Sequence, residues 1–326
     1  MSARPTRRGW AVAAVALAGV ALGWLFGGRS LNVVVMPAAA AFVLTGLHVA
    51  RYDRPTVTRT APEHAHQGET RTVAVSVDAR HEYPVTVRES LAEGLVGDGV
   101  LETVADGRES SFEVELGSRG EHVVGPTELV ATDPFGLWTR IFRYARVDRV
   151  TVFPRVHDLT DTAGLLTGYI GVTDERGQFE GLREYQRGDP LRDVNWRASA
   201  KRPGDLVVTT FAGEGATNRV VVAADANGGR ADAVAEAAAS VVANLLDAGI
   251  SVGVVTPDGS VSPATGDAHR RAVFTQLARL DDAHLGRERV ADADIAVRST
   301  AERVEISAGD RTRRYRDVVG ARRADA

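Results

Sequence analysis

Cysteine is absent from this chain of 326 residues, which excludes disulfide bonds, a thiol nucleophile and cysteine-ligated zinc. Lysine is nearly absent as well, because Lys201 is the one lysine among 39 basic residues. The segments that mark ATP and dinucleotide sites, G-x-x-x-x-G-K-[ST] and G-x-G-x-x-G, do not occur, and neither does the zinc motif H-E-x-x-H. The sequence therefore predicts no cofactor. It lacks the motifs by which many ATP-dependent, dinucleotide-dependent and zinc-dependent enzymes are recognised.

The net charge is positive in the N-terminal region and negative over the rest of the chain. Residues 1–54 carry a net charge of +5, and because the whole chain carries -4, the remainder carries -9. A body with this charge is poorly suited to neutralise phosphates, so nucleic acid is not an expected partner. Apolar residues make up 44% of the chain, which is enough to build packed cores, and the length predicts about two domains.

Two long uncharged runs open the chain. They extend from Trp10 to Phe26 and from Leu31 to Ala50, and each approaches the ~20 residues that a helix needs to cross a bilayer. Residues 1–54 are therefore predicted to form a transmembrane helical hairpin, with helices at about 10–26 and 31–50. A cleaved signal peptide is the alternative for the first run, but a second apolar run directly behind it favours the hairpin.

Arginines flank the predicted hairpin at both of its ends. They are Arg4, Arg7 and Arg8 ahead of the first helix, and Arg51, Arg54 and Arg59 behind the second. The short connection between the helices holds only Arg29. The positive-inside rule then puts both termini and the soluble body in the cytoplasm. We expect a multi-pass protein of the cell (inner) membrane with two helices.

The periodicity of the apolar residues changes twice after the hairpin. Between residues 55 and 157, runs such as "TVAVSVDA" and "SFEVEL" alternate apolar and polar residues, a pattern typical of a β-sandwich. Between residues 219 and 310, buried-strand runs such as "RVVVAADA" and "ISVGVVTPDG" alternate with amphipathic helical segments. This order predicts a parallel sheet covered by helices. Residues 311–326 are predicted to be a solvated basic tail.

A segment dense in both charge and aromatic residues joins the two domains, at residues 158–218. It contains "FEGLREYQRGDPLRDVNWRASAKR", in which Asp189 followed by Pro190 predicts the start of a short helix. Two interpretations stay open: a brace at the domain junction, or a partner-docking surface of the kind that arginine, tryptophan and tyrosine favour. The candidate residues are Arg183, Glu184, Tyr185, Gly188, Asp189, Arg192, Asn195, Trp196, Ser199 and Lys201.

An aspartate ends the first buried strand of the α/β unit, at the sheet edge where such folds bind ligands. The turn reads "DANGG", so only Asp225 and Asn227 bring side-chain oxygens of the kind that magnesium requires. Later oxygens come from residues whose spacing singles none of them out: Thr256, Asp258, Thr265 and Asp267. We expect a vestigial metal turn at Asp225 and Asn227 with no bound metal, and a magnesium ion is the alternative.

The central segment closely resembles the signature of the domain of unknown function family 58. The match covers Arg-Glu-Tyr, Gly-Asp and Arg-x-Val-Asn-Trp-x-x-Ser-Ala at residues 183–185, 188–189 and 192–200. In addition, "TDPFGLW" at residues 132–138 resembles the segment that closes the sandwich in such proteins. The resemblance implies a membrane-anchored α+β and α/β protein: a two-helix hairpin, a β-sandwich and a von Willebrand factor A-like domain. That domain is degenerate here, since Asn227 and Gly229 stand where many members have serines.

The resemblance also implies a functional context. Members of this family are commonly encoded beside MoxR-type AAA+ ATPases, and the family has no established enzymatic activity. We expect a non-enzymatic, membrane-tethered adaptor that binds partner proteins, with a MoxR-type ATPase as the expected partner, in protein assembly or remodelling. The alternatives are an adhesion-type binding module and a hydrolase with a site around Glu184, Asp189, Ser199 and Lys201.

Overall fold

The architecture is mixed α+β and consists mostly of sheets, as the sequence predicts. The structure is a computed structural model and describes residues 3–26, 32–160, 179–184, 207–211, 219–300 and 302–322. It divides into two compact units, Met1–Phe153 and Pro154–Ala326. We describe each unit by itself.

The first unit begins with two apolar helices, α1 (Arg7–Phe26) and α2 (Asn32–Ala50). They touch where Gly19 of α1 faces Val35 of α2, and a Cβ at position 19 would collide with the Val35 side chain. The absence of a side chain at Gly19 therefore lets the two helices approach closely, as small residues do in packed apolar helices.

One helix among the described residues is long and apolar enough to cross a membrane. It is the stretch Arg7–Leu25 of α1, with 19 residues, whereas the apolar part of α2, Val35–Ala50, is shorter. Length and composition of this kind are shared by membrane helices and by signal sequences near an N-terminus. The N-terminal apolar helix is thus confirmed, while the second span and the orientation stay predictions.

Two sheets make up the rest of the first unit. Its strands are β1 (Arg4–Pro5), β2 (Thr56–Thr60), β3 (His64–His66), β4 (Thr70–Asp78), β5 (Pro84–Leu91), β6 (Leu95–Val96), β7 (Val100–Val104), β8 (Asp106–Leu116), β9 (Gly120–Thr132), β10 (Trp138–Tyr144) and β11 (Asp148–Phe153). Strands β2, β4, β8 and β6 form a four-stranded sheet, and the others form a seven-stranded sheet around the long strand β9.

The apolar face of each sheet follows from alternation along its strands. In β4, Val73, Val75 and Val77 are buried and the residues between them are more exposed, because successive side chains point to opposite faces of a strand. These valines form one hydrophobic cluster with residues of the other sheet, including Val87 and Leu129. The two sheets therefore share a single core, which is the arrangement that a β-sandwich requires.

A charged cluster is buried inside this first unit. The guanidinium of Arg59 donates to Glu89 Oε2 at 2.6 Å and to Asp148 Oδ2 at 2.7 Å, and Thr127 Oγ1 donates to Glu89 Oε1 at 2.9 Å. The side chains of Arg59 and Glu89 are 3% and 0% exposed. The sequence predicts that Arg59 flanks the hairpin, but the structure places its charge in the core rather than at the surface.

The second unit is built on a six-stranded sheet in the order β17-β16-β15-β18-β19-β20. Its elements are β12 (His157–Leu159), β13 (Phe179–Glu184), β14 (Val207–Phe211), β15 (Arg219–Asp225), α3 (Ala231–Asp247), β16 (Ser251–Thr256), β17 (Gly259–Ala264), α4 (Asp267–Ala278), α5 (Arg287–Ala291), β18 (Ile295–Ser299), β19 (Val304–Ala308), β20 (Arg311–Arg314), α6 (Tyr315–Val318) and β21 (Val319–Arg322). Strands β16, β15 and β18 are parallel, and the outer strands are antiparallel.

The last described residues correct one prediction. The sequence predicts a solvated tail from residue 311, but the structure has β20, α6 and β21 there. Tyr315 and Val318 are buried, and the Tyr315 hydroxyl lies 3.1 Å from Ser240 Oγ on α3. Burial raises the pKa of Tyr315, so its hydroxyl stays neutral. These two buried side chains help to dock the basic segment, which also pairs through β20 with β19 and through β21 with β12. Charge density alone does not reveal any of these contacts.

We predict that Glu89→Gln destabilises the first unit by about 3 kcal/mol, because it leaves much of the buried Arg59 charge uncompensated. The measurement is urea denaturation of the full chain in detergent. Glu128→Gln is the matched control, since Glu128 pairs with the largely exposed Arg143 at 2.9 Å, and such surface pairs contribute below about 1 kcal/mol. Equal losses in both variants would contradict the inference that the Arg59 cluster stabilises the core.

Asp148 makes the same cluster sensitive to acid. Burial by itself raises the pKa of Asp148, but the hydrogen bonds and charges of Arg59 and Arg146 outweigh it and hold the pKa below its usual value. The resulting stabilisation is present above the pKa of an unfolded aspartate and is lost as pH falls through the lower folded-state pKa.

We therefore predict that Asp148→Asn lowers the free energy of unfolding by about 1.5–3 kcal/mol at neutral pH, the usual contribution of a hydrogen bond to a charged group. The difference from the unmodified chain should shrink as the pH falls from the pKa of an unfolded aspartate to the lower folded-state pKa of Asp148. Denaturation of the full chain over a pH series checks this, with the exposed residue Asp98 changed to Asn as the control. A difference that is constant across the pH series would contradict the assignment.

Candidate functional site

The structure places two of the signature residues on a strand. Arg183 and Glu184 lie in β13, opposite Val208 and Val207 of the antiparallel strand β14. The other candidate residues lie outside the described residues: Tyr185, Gly188, Asp189, Arg192, Asn195, Trp196, Ser199 and Lys201. The choice between a domain brace and a docking surface therefore stays a prediction, and so does the short helix that Asp189 and Pro190 predict.

Asp225 ends β15, the central parallel strand, as the buried run before it predicts. The chain then turns through Gly228 and Gly229, whose φ angles of 69° and 76° lie in the left-handed region that glycine adopts without strain. Helix α3 begins directly after this turn at Ala231. Asp225 therefore lies at the carboxyl edge of the sheet, where only 3% of its surface is exposed to solvent.

The Asp225 carboxylate is held by a loop 60 residues further along the chain. Its Oδ1 atom accepts a hydrogen bond from the backbone N–H of Leu285 at 2.8 Å and lies 3.0 Å from Nδ1 of His284. The His284 side chain is 62% exposed, whereas the Asp225 side chain is 4% exposed. Neither contact can be predicted from the sequence, because no spacing or motif connects residue 225 to residue 284.

Asn227 is fixed through its backbone. Its N–H donates to Ser299 Oγ at 2.8 Å, and the Ser299 hydroxyl donates to the Asn227 carbonyl oxygen at 3.0 Å. Thr256, one of the predicted later oxygens, accepts instead from Gln276 and donates to the Gly259 carbonyl. The described residues contain no group of three or more histidine, aspartate or glutamate side chains able to hold a metal ion.

A cavity of about 600 Å³ opens beside this turn. Its polar lining includes Asp225, His284, Asp294 and Arg298. Asp294 Oδ2 accepts from the backbone N–H of Val221 at 2.7 Å, so each carboxylate already accepts a backbone hydrogen bond. The two aspartates therefore hold the loops around this cavity against the strands of the sheet.

The second candidate region is the base of the two apolar helices, which we call the helix base: Thr6, the turn Asp133–Gly136, Leu137, Trp138 and Arg140. At the start of α1, the Thr6 hydroxyl accepts from the N–H of Gly9 at 3.0 Å and donates to the Gly136 carbonyl at 2.6 Å. The Thr6 N–H donates to the Leu137 carbonyl at 2.8 Å. Thr6 therefore caps the helix and also ties it to the β9–β10 turn.

Gly9 is the residue that permits this close approach. A Cβ at position 9 would collide with the carbonyl oxygen of Leu137. Just ahead of the helix, Arg4 and Pro5 of β1 pair with Thr139 and Trp138 of β10. The first turn of α1 is thus built onto the edge of the seven-stranded sheet.

The second half of α2 is fixed to strand β10 as well. Trp138 Nε1 donates to the Phe42 carbonyl at 2.8 Å, and the two rings lie 4.8 Å apart. Arg140 Nη1 donates to the carbonyls of Ala50 and Tyr52 at 2.8 and 2.7 Å. A guanidinium at this place satisfies carbonyls that the helix leaves unpaired and opposes the negative end of the helix dipole.

Stacked tyrosines fix the chain where it leaves α2. The rings of Tyr52 and Tyr83 are 4.0 Å apart and nearly parallel, and the Tyr83 hydroxyl donates to the Asp53 carbonyl at 2.8 Å. Burial raises the pKa of Tyr83 to about 12, and Tyr144 and Asp53 add to the effect. The hydroxyl therefore stays a neutral donor across the physiological pH range.

Comparisons with known proteins assign no family. No protein-family model matches the chain, and no curated protein matches it. Among solved structures, the chain is similar to the PKD domain of an M14-like peptidase from Thermoplasmatales archaeon SCGC AB-540-F20, with 18% identity and a TM-score of 0.24, over 31% of this chain and 97% of that chain. It is also similar to a chain from the complex of Zinc 2-glycoprotein and Prolactin inducible protein from human seminal plasma, with 10% identity and a TM-score of 0.24, over 30% and 96%.

We predict that Asp225→Ala destabilises the second unit by about 1–3 kcal/mol, because it leaves the buried N–H of Leu285 without its acceptor. The control is Asp281→Ala, an exposed aspartate in the same loop, which should stay within about 0.5 kcal/mol. Denaturation of the full chain with and without magnesium chloride provides the measurement. A rise in stability with magnesium that Asp225→Ala abolishes would show instead that the carboxylate is a metal ligand.

Proposed function

We propose that this protein is a non-enzymatic, membrane-tethered adaptor that holds its soluble body at the cytoplasmic face of the cell membrane and binds a partner protein there. In this proposal α1 and α2 cross the membrane as a hairpin, and the first unit is a β-sandwich. The second unit is a von Willebrand factor A-like domain without a metal ion. The resemblance of the signature segment motivates a MoxR-type AAA+ ATPase as the partner.

The helix base is the observation that carries this proposal. Both helices end in hydrogen bonds to the same strand and turn, through Thr6 at the start of α1 and through Trp138 and Arg140 beside α2. If a flexible linker joined the helices to the two sheets of the first unit, the sheets could rotate and move away from the membrane. Helix ends that are hydrogen-bonded to the sheet hold the sheets at one height and one angle. This geometry suits a protein that presents a surface to a partner.

Charge supports the cytoplasmic orientation. Arg7 and Arg8 are exposed at the start of α1, and Arg51 is exposed at the end of α2. Arg59 contributes to the core instead, yet the flanks remain positive without it. Positive flanks on both sides of a hairpin favour its ends in the cytoplasm.

The state of Asp225 supports a binding role for the second unit. In the proposed domain type this carboxylate would bind a magnesium ion, whereas here it accepts from Leu285 and faces His284. We infer that a turn whose aspartate is engaged in this way keeps the α/β scaffold and gives up metal-dependent contacts. Binding would then depend on protein surfaces such as the signature segment.

The test is a binding experiment with membrane vesicles that contain the full chain. We expect a purified, fluorescently labelled MoxR-type ATPase encoded by the same genome to sediment with inverted vesicles and not with right-side-out vesicles. Vesicles without the chain are the control for background binding. Binding to right-side-out vesicles would contradict the orientation, and failure to bind either kind would contradict the partner.

The same assay tells the two interpretations of the signature segment apart. If Trp196 belongs to the docking surface, Trp196→Ala should lose the ATPase while its melting temperature stays unchanged. If Trp196 is a brace, the variant should lose about 3–5 kcal/mol of stability, the cost of removing a buried aromatic side chain.

A further inference from the structure

The turn between β9 and β10 presents an exposed aromatic side chain beside the helix base. Asp133 builds the turn: its Oδ1 atom accepts from the N–H of Phe135 at 2.8 Å, and its Oδ2 atom accepts from the N–H of Trp138. Gly136 completes the turn with a φ of 67°. Phe135 is 66% exposed although its neighbour Leu137 is buried. A rigid turn thus holds a large apolar ring out in solvent.

We propose that this turn is a third membrane contact, in which Phe135 inserts into the interfacial layer of the bilayer on which the body rests. The inference rests on the proposed membrane anchor. It adds a second kind of lipid contact, made by the sheets of the first unit rather than by its helices. Its occupant is the phospholipid surface itself, recognised by one aromatic ring and by arginines at the phosphate level.

The position of the turn along the helices supports this contact. Trp138 touches α2 at Phe42 and faces Gly46, whereas α2 ends at Ala50. At 1.5 Å per residue, Phe42 lies about 12 Å and Gly46 about 6 Å inside the end of the helix. Trp138 therefore lies alongside α2, and the turn just before it contacts the start of α1, where Gly136 accepts from Thr6 and Leu137 faces Gly9. The turn is thus level with the first turn of α1, the level at which a spanning helix enters the interfacial layer.

Neighbouring side chains have the chemistry of the interface. Trp10, one turn into α1, is 65% exposed, and aromatic rings are enriched at this level of membrane proteins. Arg8 Nη1 lies 3.8 Å from the place that a Cβ on Gly136 would occupy. Arg8 and Phe135 also line a groove of about 600 Å³ together with Val130 and the carboxylates of Glu102 and Asp133. The Asp133 carboxylate already accepts from the N–H groups of Phe135 and Trp138, so the Arg8 guanidinium is the group beside the ring that is suited to contact a lipid phosphate.

Continuity with α1 is what favours a lipid surface over a protein partner. Phe135 is fixed through Thr6 and Gly136 to the start of the helix that is long enough to span a bilayer. If that helix spans the membrane, the ring is at the surface of the bilayer without any further movement of the chain. A protein partner would have to bind between the body and the lipid.

Spin labelling tests this directly, because the chain has no native cysteine. The full chain is reconstituted into phosphatidylcholine and phosphatidylglycerol vesicles with one nitroxide at a time, on Phe135→Cys, Val147→Cys or Leu17→Cys. Val147 is 48% exposed and follows the far end of β10, so it is the matched control for an exposed apolar residue away from the turn. Leu17, 71% exposed in the middle of α1, reports on the anchor alone. The readout is relaxation of the label by oxygen, which partitions into lipid, relative to a water-soluble nickel complex.

We expect the ratio of oxygen to nickel accessibility at position 135 to exceed that at position 147 several-fold and to stay below that at position 17. A ratio at 135 equal to that at 147, with position 17 in lipid, overturns this inference and leaves the proposed anchor intact. Low access to both reagents at 135 overturns it too, since it would show that protein covers the turn. A water-like ratio at position 17 overturns the anchor and the inference together. Equal melting temperatures of the labelled chains establish that the labelled turn is folded.

Discussion

The first unit depends on one constraint, which is that the backbone N–H and carbonyl groups at the ends of two apolar helices need hydrogen-bond partners where the helices meet a sheet. A helix end leaves N–H and carbonyl groups without partners, and here one strand and its preceding turn supply them. Thr6 caps one helix and binds the turn, while Arg140 binds the carbonyls of Ala50 and Tyr52. The segment "TDPFGLW" is therefore more than a connection between strands, because it determines where the apolar helices can stand.

The same principle applies to charge in both units. Arg59 is tolerated in the core of the first unit because Glu89 and Asp148 complete its hydrogen bonds. Asp225 is tolerated at the sheet edge of the second unit because Leu285 and His284 engage it. In each case a group with potential chemistry is used to fix a fold. A molecule organised in this way is suited to offer a surface, which agrees with the adaptor that we propose.

The coarse architecture could be predicted from the sequence because it follows from periodicity. Alternating valines such as Val73, Val75 and Val77 predict strands, and the run before Asp225 predicts a buried strand that ends at the sheet edge. The contacts that complete each region could not be predicted, because they join residues far apart in the chain. Arg59 meets Glu89 across 30 positions and Trp138 meets Phe42 across 96, and no local pattern encodes such pairs. The docking of residues 311–322 could not be predicted either. Tyr315 and Val318 are two apolar residues among many arginines, and the arginines alone predict an exposed segment.

The two outermost strands of the six-stranded sheet have a consequence for self-association. Strand β17 contains Pro263, which has no N–H to offer, and all four residues of β20, Arg311–Arg314, are exposed. An open sheet edge is a template on which another chain can add a strand, and proline and charged residues are the usual means of preventing it. A second copy that approached β17 would meet a proline without an N–H, and one that approached β20 would meet three arginines. Among the residues that the structure describes, both edge strands of this sheet therefore have a composition that opposes the addition of a strand from another copy.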